Sequence, residues 1–362
     1  MQTVEFPQIL IDTNKLNHNI KTVIKKCSDK GITVSGVVKG TNGLPIIIET
    51  FIKAGMRNLA SSRLSQLKTI KMIDPKVHTL ALRIPMLSEL EELVEYADCS
   101  LNSDLSTIKE INRICEQKNI YHEILLMNDL GDLREGFFKT NELIESALYV
   151  ENECEHLILK GIGTNLGCYG SIEPDSKNLG QLIENARTIE SMIGRKLDWI
   201  SGGATTSIPL VLNNSMPEGI THLRIGDGIY LRDMELYFDY TFDEMYSDVF
   251  LLKGEIIEIH EKPSYPIGTI SVDAFGNKPE YEDIGIRKRA LLGMGRQDIG
   301  DMTKLIPLDE NIKVIGGSSD HTIVDVTDSL HDYKLGDVIV FKIQYENLLY
   351  SCTSEYIHKS YI

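Results

Sequence analysis

The sequence predicts an α/β protein: a (β/α)8 TIM barrel over residues 1–235, followed by a mainly antiparallel β domain over residues 236–362. Three observations carry this. Amphipathic helical patterns alternate with short apolar runs through the first two thirds of the chain. The runs number eight, the count that closes a barrel of parallel strands buried on both faces. After about residue 235 the long helical patterns stop, and strand-like runs separated by Gly, Pro and Asp turns take over.

The elements follow in order. NKLNHNIKTVIKKCSDKG reads as a helix, and TVSGVVK is the first strand. LPIIIETFIKAGM, RLSQLKTIKMID, MLSELEELVEYA and SDLSTIKEINRICEQKN are helices, interleaved with the strands RNLAS, VHTLALRI and DCSLN. YHEILLMND, HLILKGIGTN, LDWISGG and THLRIGD complete the eight. A doubly wound open sheet is the alternative that the same alternation allows. The β domain is read from DVFLLKGEIIEIHEK, KRALLGMG, NIKVIGGSSDHTIVDVTD and GDVIVFKIQYENLL. The aromatic residues between Tyr237 and Tyr246 read as core or interface, and Arg296 in GMGRQD as part of a strand and turn.

Composition narrows the function. A formal net charge of −16 argues against a nucleic-acid binder or a ligand of anionic membranes, because both need a basic face. No apolar run approaches the roughly 20 residues that span a bilayer. The start, MQTVEFPQIL, lacks the pattern of a signal peptide, so a cytoplasmic protein acting on a small molecule is expected. Cys27, Cys99, Cys115, Cys154, Cys168 and Cys352 form no Cys-x-x-Cys pair, and neither a metal site nor a disulfide framework is expected.

In a barrel the chemistry gathers where strands end. Lys39 follows the first strand, Arg134 lies beyond the fifth, and Thr164 and Asn165 end the sixth. Ser201, Thr205 and Thr206 belong to the small-residue stretch SGGATT after the seventh, and Arg224, Gly226 and Asp227 close the eighth. Small residues let backbone N–H groups approach an anion, and hydroxyls add donors. The two loops therefore read as a phosphate clasp or, more plainly, as two glycine turns. A lysine in a dry pocket loses its charge and can condense with an aldehyde. Phosphate clasp and lysine together point to pyridoxal 5′-phosphate, though a barrel aldolase shares both parts. Taken alone, Lys39 is equally readable as a surface lysine.

GVVKGTNG resembles the lysine motif of the alanine racemase family, the fold-type III pyridoxal-phosphate enzymes. LRIPMLSE, DLGDLREG, GIGTNLGCYG, HLRIGDGIYL, DAFGNKP and IRKRALLGMGRQD extend the resemblance along nearly the whole chain, closest to the branch that acts on ornithine. The resemblance implies a homodimer with active sites at the subunit interface and a small amino-acid substrate. Lys39 then binds the cofactor and serves as one of two proton-transfer bases. Arg224 faces the pyridine nitrogen, Arg134 the phenolic oxygen and the substrate carboxylate, and Asn165 the place where a histidine packs near the ring. Thr205, Gly226, Asp227 and Tyr356 match phosphate contacts. Asp320 and His321 match a stretch that enters the partner's site.

Two departures stand out. Gly43 replaces a phosphate-contacting tyrosine, which suggests extra room beside the cofactor. Asp273-Ala274-Phe275-Gly276 stands where the second catalytic base, a tyrosine, is expected, leaving Asp273 or His321 as that base. The expected activity is interconversion of L- and D-ornithine by two-base proton transfer at the α-carbon. The alternatives are an alanine, lysine or broad-specificity racemase, a decarboxylase of the same superfamily, and a pyridoxal-phosphate-binding homeostasis protein.

Overall fold

The first strand, β1 (Gln8–Ile11), stays out of the barrel: it pairs antiparallel with residues 250–253 and parallel with residues 358–361. The structure, a computed structural model, describes residues 5–362 and falls into two units, Leu16–Tyr246 and the segment through Lys15 together with Ser247–Ile362. The division differs from 235/236 at both ends. Residues before 16 go with the second unit because β1 is a strand of its sheet. Residues 236–246 go with the first because Asn19 bonds Tyr246 N and O at 2.9 and 3.0 Å, and Lys26 pairs with Glu244 at 2.7 Å.

In the first unit the helix α1 (Thr13–Ser28) leads to β2 (Thr33–Val37), α2 (Pro45–Lys53), β3 (Asn58–Ser61), α3 (Leu64–Ile73), β4 (His78–Ala81), α4 (Leu90–Tyr96) and β5 (Cys99–Asn102). Then come α5 (Leu105–Lys118), β6 (His122–Met127), α6 (Thr140–Glu153), β7 (Leu157–Gly163), α7 (Ser176–Ile193), β8 (Trp199–Ser201), α8 (Ile208–Leu212), β9 (His222–Ile225) and α9 (Asp227–Tyr230). β2 to β9 form a closed barrel of eight parallel strands, sealed where Ser35 of β2 faces Arg224 of β9. The expected fold class holds.

Local chemistry explains the elements. α5 begins where Asp104 accepts from the N–H groups of Ser106 and Thr107 at 2.8 and 3.2 Å, and ends where Asn119 turns left-handed at φ 52°. α7 buries Leu179, Leu182, Ile183, Ala186 and Ile189, a stripe at helical spacing. Val37, Leu80, Leu101, Leu125, Met127 and Trp199 fill the barrel interior. Gly161 lets β7 close on β8, since a Cβ there would stand 1.8 Å from the Trp199 carbonyl oxygen.

The second unit adds β10 (Phe250–Pro263), β11 (Ile286–Leu292), α10 (Arg296–Ile299), β12 (Ile306–Pro307), β13 (Lys313–Gly317), β14 (Thr322–Asp325), β15 (Val338–Lys342), α11 (Tyr345–Thr353) and β16 (His358–Tyr361). The sheet order is β12-β15-β10-β11-β14-β13, with β1 joining β10 to β16. β10 serves both halves: it pairs with β15 up to Glu255 and, across a bulge near Ile256–Glu258, with β11. Two helical segments appear where the sequence suggested strand and turn. α11 forms because Leu348, Ser351 and Cys352 fall on one buried face, and α10 is a single turn that carries Arg296.

Candidate active site

Nine of the expected site residues lie in the barrel unit at or just past the carboxyl ends of strands. Lys39 sits in a single 3-10 turn after β2, which Asn42 ends in the left-handed region at φ 51°. Its side chain is solvent-accessible, and its amine has no hydrogen-bond or ion-pair partner among the described residues. Accessibility and depth coexist here: an amine in a bowl walled by protein meets less water than one on a convex surface. Burial therefore pushes the Lys39 amine below its usual value. Cys168 and Glu135 oppose that shift, and Arg134 and Arg224 reinforce it.

Arg224, on β9, is buried inside the barrel wall. Nη1 donates to Ser201 Oγ, and Nη2 donates to the Thr164 carbonyl at 2.6 Å. These two bonds use two of its five N–H groups, and no further acceptor faces the guanidinium among the described residues, so donors of this cation are left for a ligand. Burial lowers its pKa to about 10, which leaves it charged at neutral pH. Arg134 is exposed and forks onto the adjacent Glu135 at 2.7 and 2.9 Å. Asn165 donates to Cys168 Sγ at 3.2 Å.

The loops after β8 and β9 form a built anion cradle. Gly228 N donates to Thr205 Oγ1 at 3.1 Å and ties the two loops together. Thr206 Oγ1 donates to the Leu166 carbonyl at 3.0 Å, and Ser207 Oγ to the Gly202 carbonyl at 2.7 Å. The backbone N–H groups of Thr205, Thr206, Gly226 and Asp227 donate to no acceptor among the described residues. Unused N–H groups on two facing loops suit a phosphate. Burial, and then the neighbouring Asp233, push the Asp227 pKa well up, which weakens the repulsion between that carboxyl and a phosphate. Thr206 also lines a mostly apolar hollow with Gly167, Pro174, Met234, Tyr237 and Phe238. Lys39, Arg134 and Arg224 do not line it, so the reactive groups belong to the strand ends instead.

These residues fit pyridoxal 5′-phosphate: an amine of lowered basicity, a buried cation with a spare donor, and unpaired N–H groups on two facing loops. The expectation of extra room at Gly43 is corrected. A Cβ on Gly43 would stand 2.8 Å from Gln66 Cγ, so Gln66 fills the space, held by Ser61 at 2.6 Å and Asn42 at 3.0 Å.

Asp273, Asp320, His321 and Tyr356 lie in the second unit. Asp273 closes its own turn, accepting from Phe275 N, Asn277 N and Asn277 Nδ2 at 2.9, 2.8 and 3.1 Å. The Asn277 backbone N–H, foremost among these bonds, holds the carboxyl below its usual value. Arg296 stacks over the Phe275 ring at 4.3 Å, and the next residue, Gln297, donates to Asp320 at 2.6 Å. The Asp273 turn and the Asp320–His321 loop thus meet at α10. His321 is half-buried with Nδ1 3.3 Å from Ser318 Oγ, and Tyr356 is exposed.

Sequence reasoning passed over three residues. Glu135 and Cys168 both bear on the Lys39 amine, and the adjacent Arg-Glu pair and a cysteine two residues past Asn165-Leu166 were the only signals. His222 is the third: it is buried beside Ser201 and opens the stretch HLRIGDGIYL, in which it was given no role.

Comparison with known proteins fits this arrangement. The family model for the alanine racemase N-terminal domain matches residues 11–233. An ornithine racemase of Acetoanaerobium sticklandii is 44% identical over 354 residues, covering 98% of this chain and 99% of that protein. A lysine racemase of Thermotoga maritima is 37% identical over 356 residues, covering 98% of each. The solved alanine racemase of Clostridium difficile superposes with a TM-score of 0.72 at 16% identity, over 100% of this chain and 97% of that one. This last likeness speaks to the fold alone.

Proposed function

Because the chain belongs to the alanine racemase family, we propose that it is a pyridoxal-phosphate-dependent racemase of ornithine, working as a homodimer in the cytoplasm. The observation that carries the reading is the unpartnered Lys39 amine, lowered in basicity, beside the cation Arg224. The relative most similar over full length among those compared above acts, by its name, on ornithine. Free cysteines throughout suit a reducing compartment.

Lys39 would bind the cofactor through its aldehyde, the N–H groups of Thr205, Thr206, Gly226 and Asp227 would take its phosphate, and Arg134 and Asn165 would flank its ring. When bound, the cofactor supplies a sink for the electrons left at the α-carbon. Lys39 would hold or return the proton on one face of that carbon. On the other face the proton is handled by Asp273 or His321 of a second copy, with Tyr356 and Asp320 completing that side. Arg224 stays charged and opposes protonation of the ring nitrogen. A charged Arg224 at that place would favour prompt return of the proton over side reactions. Arg134 is placed to receive the substrate carboxylate in exchange for Glu135, and the released Glu135 carboxylate would meet a distal ammonium.

The test is a chiral chromatographic screen of the purified protein with added pyridoxal phosphate. D- and L-ornithine should be interconverted fastest. Faster turnover of alanine would move the chain to the general alanine racemases, and faster turnover of lysine to the lysine branch. Carbon dioxide release would mark a decarboxylase. No turnover of any amino acid would favour a cofactor-binding homeostasis protein.

A further inference from the structure

Among the described residues the only side chain that Arg224 bonds is Ser201, and Ser201 is in turn held by a histidine. His222 opens β9 with no exposed surface. Its Nδ1 lies 2.8 Å from Ser201 Oγ on β8, and its Nε2 lies 2.8 Å from Ser35 Oγ on β2. Trp199 stacks flat on its face, with centroids 3.9 Å apart and planes 1° apart. Both nitrogens and one face are therefore committed, and the ring has one orientation. The chain of contacts Arg224–Ser201–His222–Ser35 crosses three adjacent strands inside the barrel, alongside the apolar cluster to which Trp199 belongs. Gly163 keeps it clear, since a Cβ there would stand 3.0 Å from Ser201 Cβ and 3.4 Å from Arg224 Nη1.

A serine hydroxyl rotates, and its proton pointed at a guanidinium would repel it. Ser201 must present a lone pair to Arg224 and send its proton elsewhere. Nδ1 of His222 is the other partner its oxygen has. The guanidinium polarises the hydroxyl into a better donor, so Arg224→Ser201→His222 Nδ1 is the mutually reinforcing direction. The ring proton then sits on Nε2 and is donated to Ser35. An imidazolium is excluded in the same setting: burial, then the Arg224 charge, push the His222 pKa well down.

We infer that His222 is a positioning residue: by accepting the Ser201 proton at Nδ1 it turns the Ser201 lone pair toward Arg224 and fixes that guanidinium for the ring nitrogen of the cofactor. Its consequence for turnover rests on the racemase reading; its geometry does not.

Two arms separate them. In cofactor-free protein labelled with 15N-histidine, His222 should show the neutral Nε2–H tautomer, and Ser201→Ala should shift its Nδ1 resonance. An Nδ1–H tautomer or an imidazolium at neutral pH overturns the inference, whatever the enzyme does. In the loaded enzyme the readout is 2-oxo acid released, with the amine left on the cofactor, per racemisation event. His222→Phe keeps the stack on Trp199 but removes the acceptor, and should raise that ratio roughly tenfold, the size of one hydrogen bond to a charged group. His222→Asn, whose side-chain oxygen reaches the Nδ1 position, should restore most of the wild-type ratio. His222→Gln, which mimics Nε2, should not. An unchanged ratio in a folded His222→Phe enzyme, or equal rescue by Asn and Gln, overturns it. If the wild-type protein racemises nothing, the racemase reading falls and the tautomer decides the inference by itself.

Discussion

Lys160 and Lys39 occupy the same barrel and have opposite surroundings. Toward the amino ends of the strands, Lys160 fills a bulge in β7 and bonds Glu123 at 3.0 Å and Asp198 at 3.1 Å. His78 reaches the other Glu123 oxygen at 2.7 Å, and Lys71 reaches Asp98 at 2.6 Å. Burial pulls the Lys160 amine down, but the bonds to Glu123 and Asp198 outweigh it and the net shift is upward. At the carboxyl ends, Lys39 has burial without partners, and its amine moves down. One end of the barrel spends its charges on each other for stability. The other holds an amine, a spare guanidinium donor and several N–H groups unmatched, as a site that awaits a ligand must.

The largest effect expected from this contrast is at Lys39. Lys39→Ala should lower racemisation by about 10²–10⁴-fold or more, with thermal stability unchanged or slightly raised, because no partner is orphaned. Chiral chromatography and a calorimetric melt measure both. Substantial activity in a folded variant would break the contrast at its active end.

Next in size is Asp273. Asp273→Asn keeps an oxygen that can accept from Phe275 N and Asn277 N, so the turn survives while the base is lost. Exchange of the α-proton with deuterated solvent should fall by about 10²-fold from one enantiomer. If the rates stay within about twofold of wild type, the lowered carboxylate is only a turn residue and His321 is the base to test.

A smaller and opposite outcome is expected at the base. Lys160→Met removes two partly shielded ion pairs and should cost about 1.5–3 kcal/mol in chemical denaturation, with kcat/KM close to wild type. A variant that lost activity but not stability would erase the distinction between the two ends.

The smallest effect is a pH dependence. Burial raises the Glu123 carboxyl, but the bonds from His78 and Lys160 outweigh it, and the net pKa lies below its ordinary 4.5. Its contribution is present above that value and is lost as pH falls through the lower, folded one. The Lys160 amine lies above its ordinary 10.5, so its contribution is full below that value and is lost as pH rises through the folded one. Denaturation between about pH 3 and pH 7 should therefore show a shallower acid limb in Glu123→Gln than in wild type. Equal limbs would mean that the pair adds nothing to stability.

The barrel strands and the mouth were legible in the sequence because both are local signals. TVSGVVK and HLILKGIGTN are apolar runs that only a strand buried on both faces explains, and Lys39, Thr205 and Arg224 follow directly from where such runs end. The ornithine preference came from resemblance alone, since no single residue announces it. What the sequence by itself determined, then, was which segments become strands and which polar groups stand at their ends. The tertiary structure decided the rest. β1 pairs with β10 at Gln8 opposite Lys253, a partnership that periodicity within either segment does not encode. Gln66, and not open space, stands beside Gly43 because α3, which carries Gln66, packs against α2, which Gly43 leads into. Ser35, Ser201 and His222 meet only because barrel closure brings β2, β9 and β8 side by side. Periodicity reports which face of one element is buried; which residues share that buried space depends on chain closure over long separations, where many pairings are compatible with one local pattern and packing selects among them.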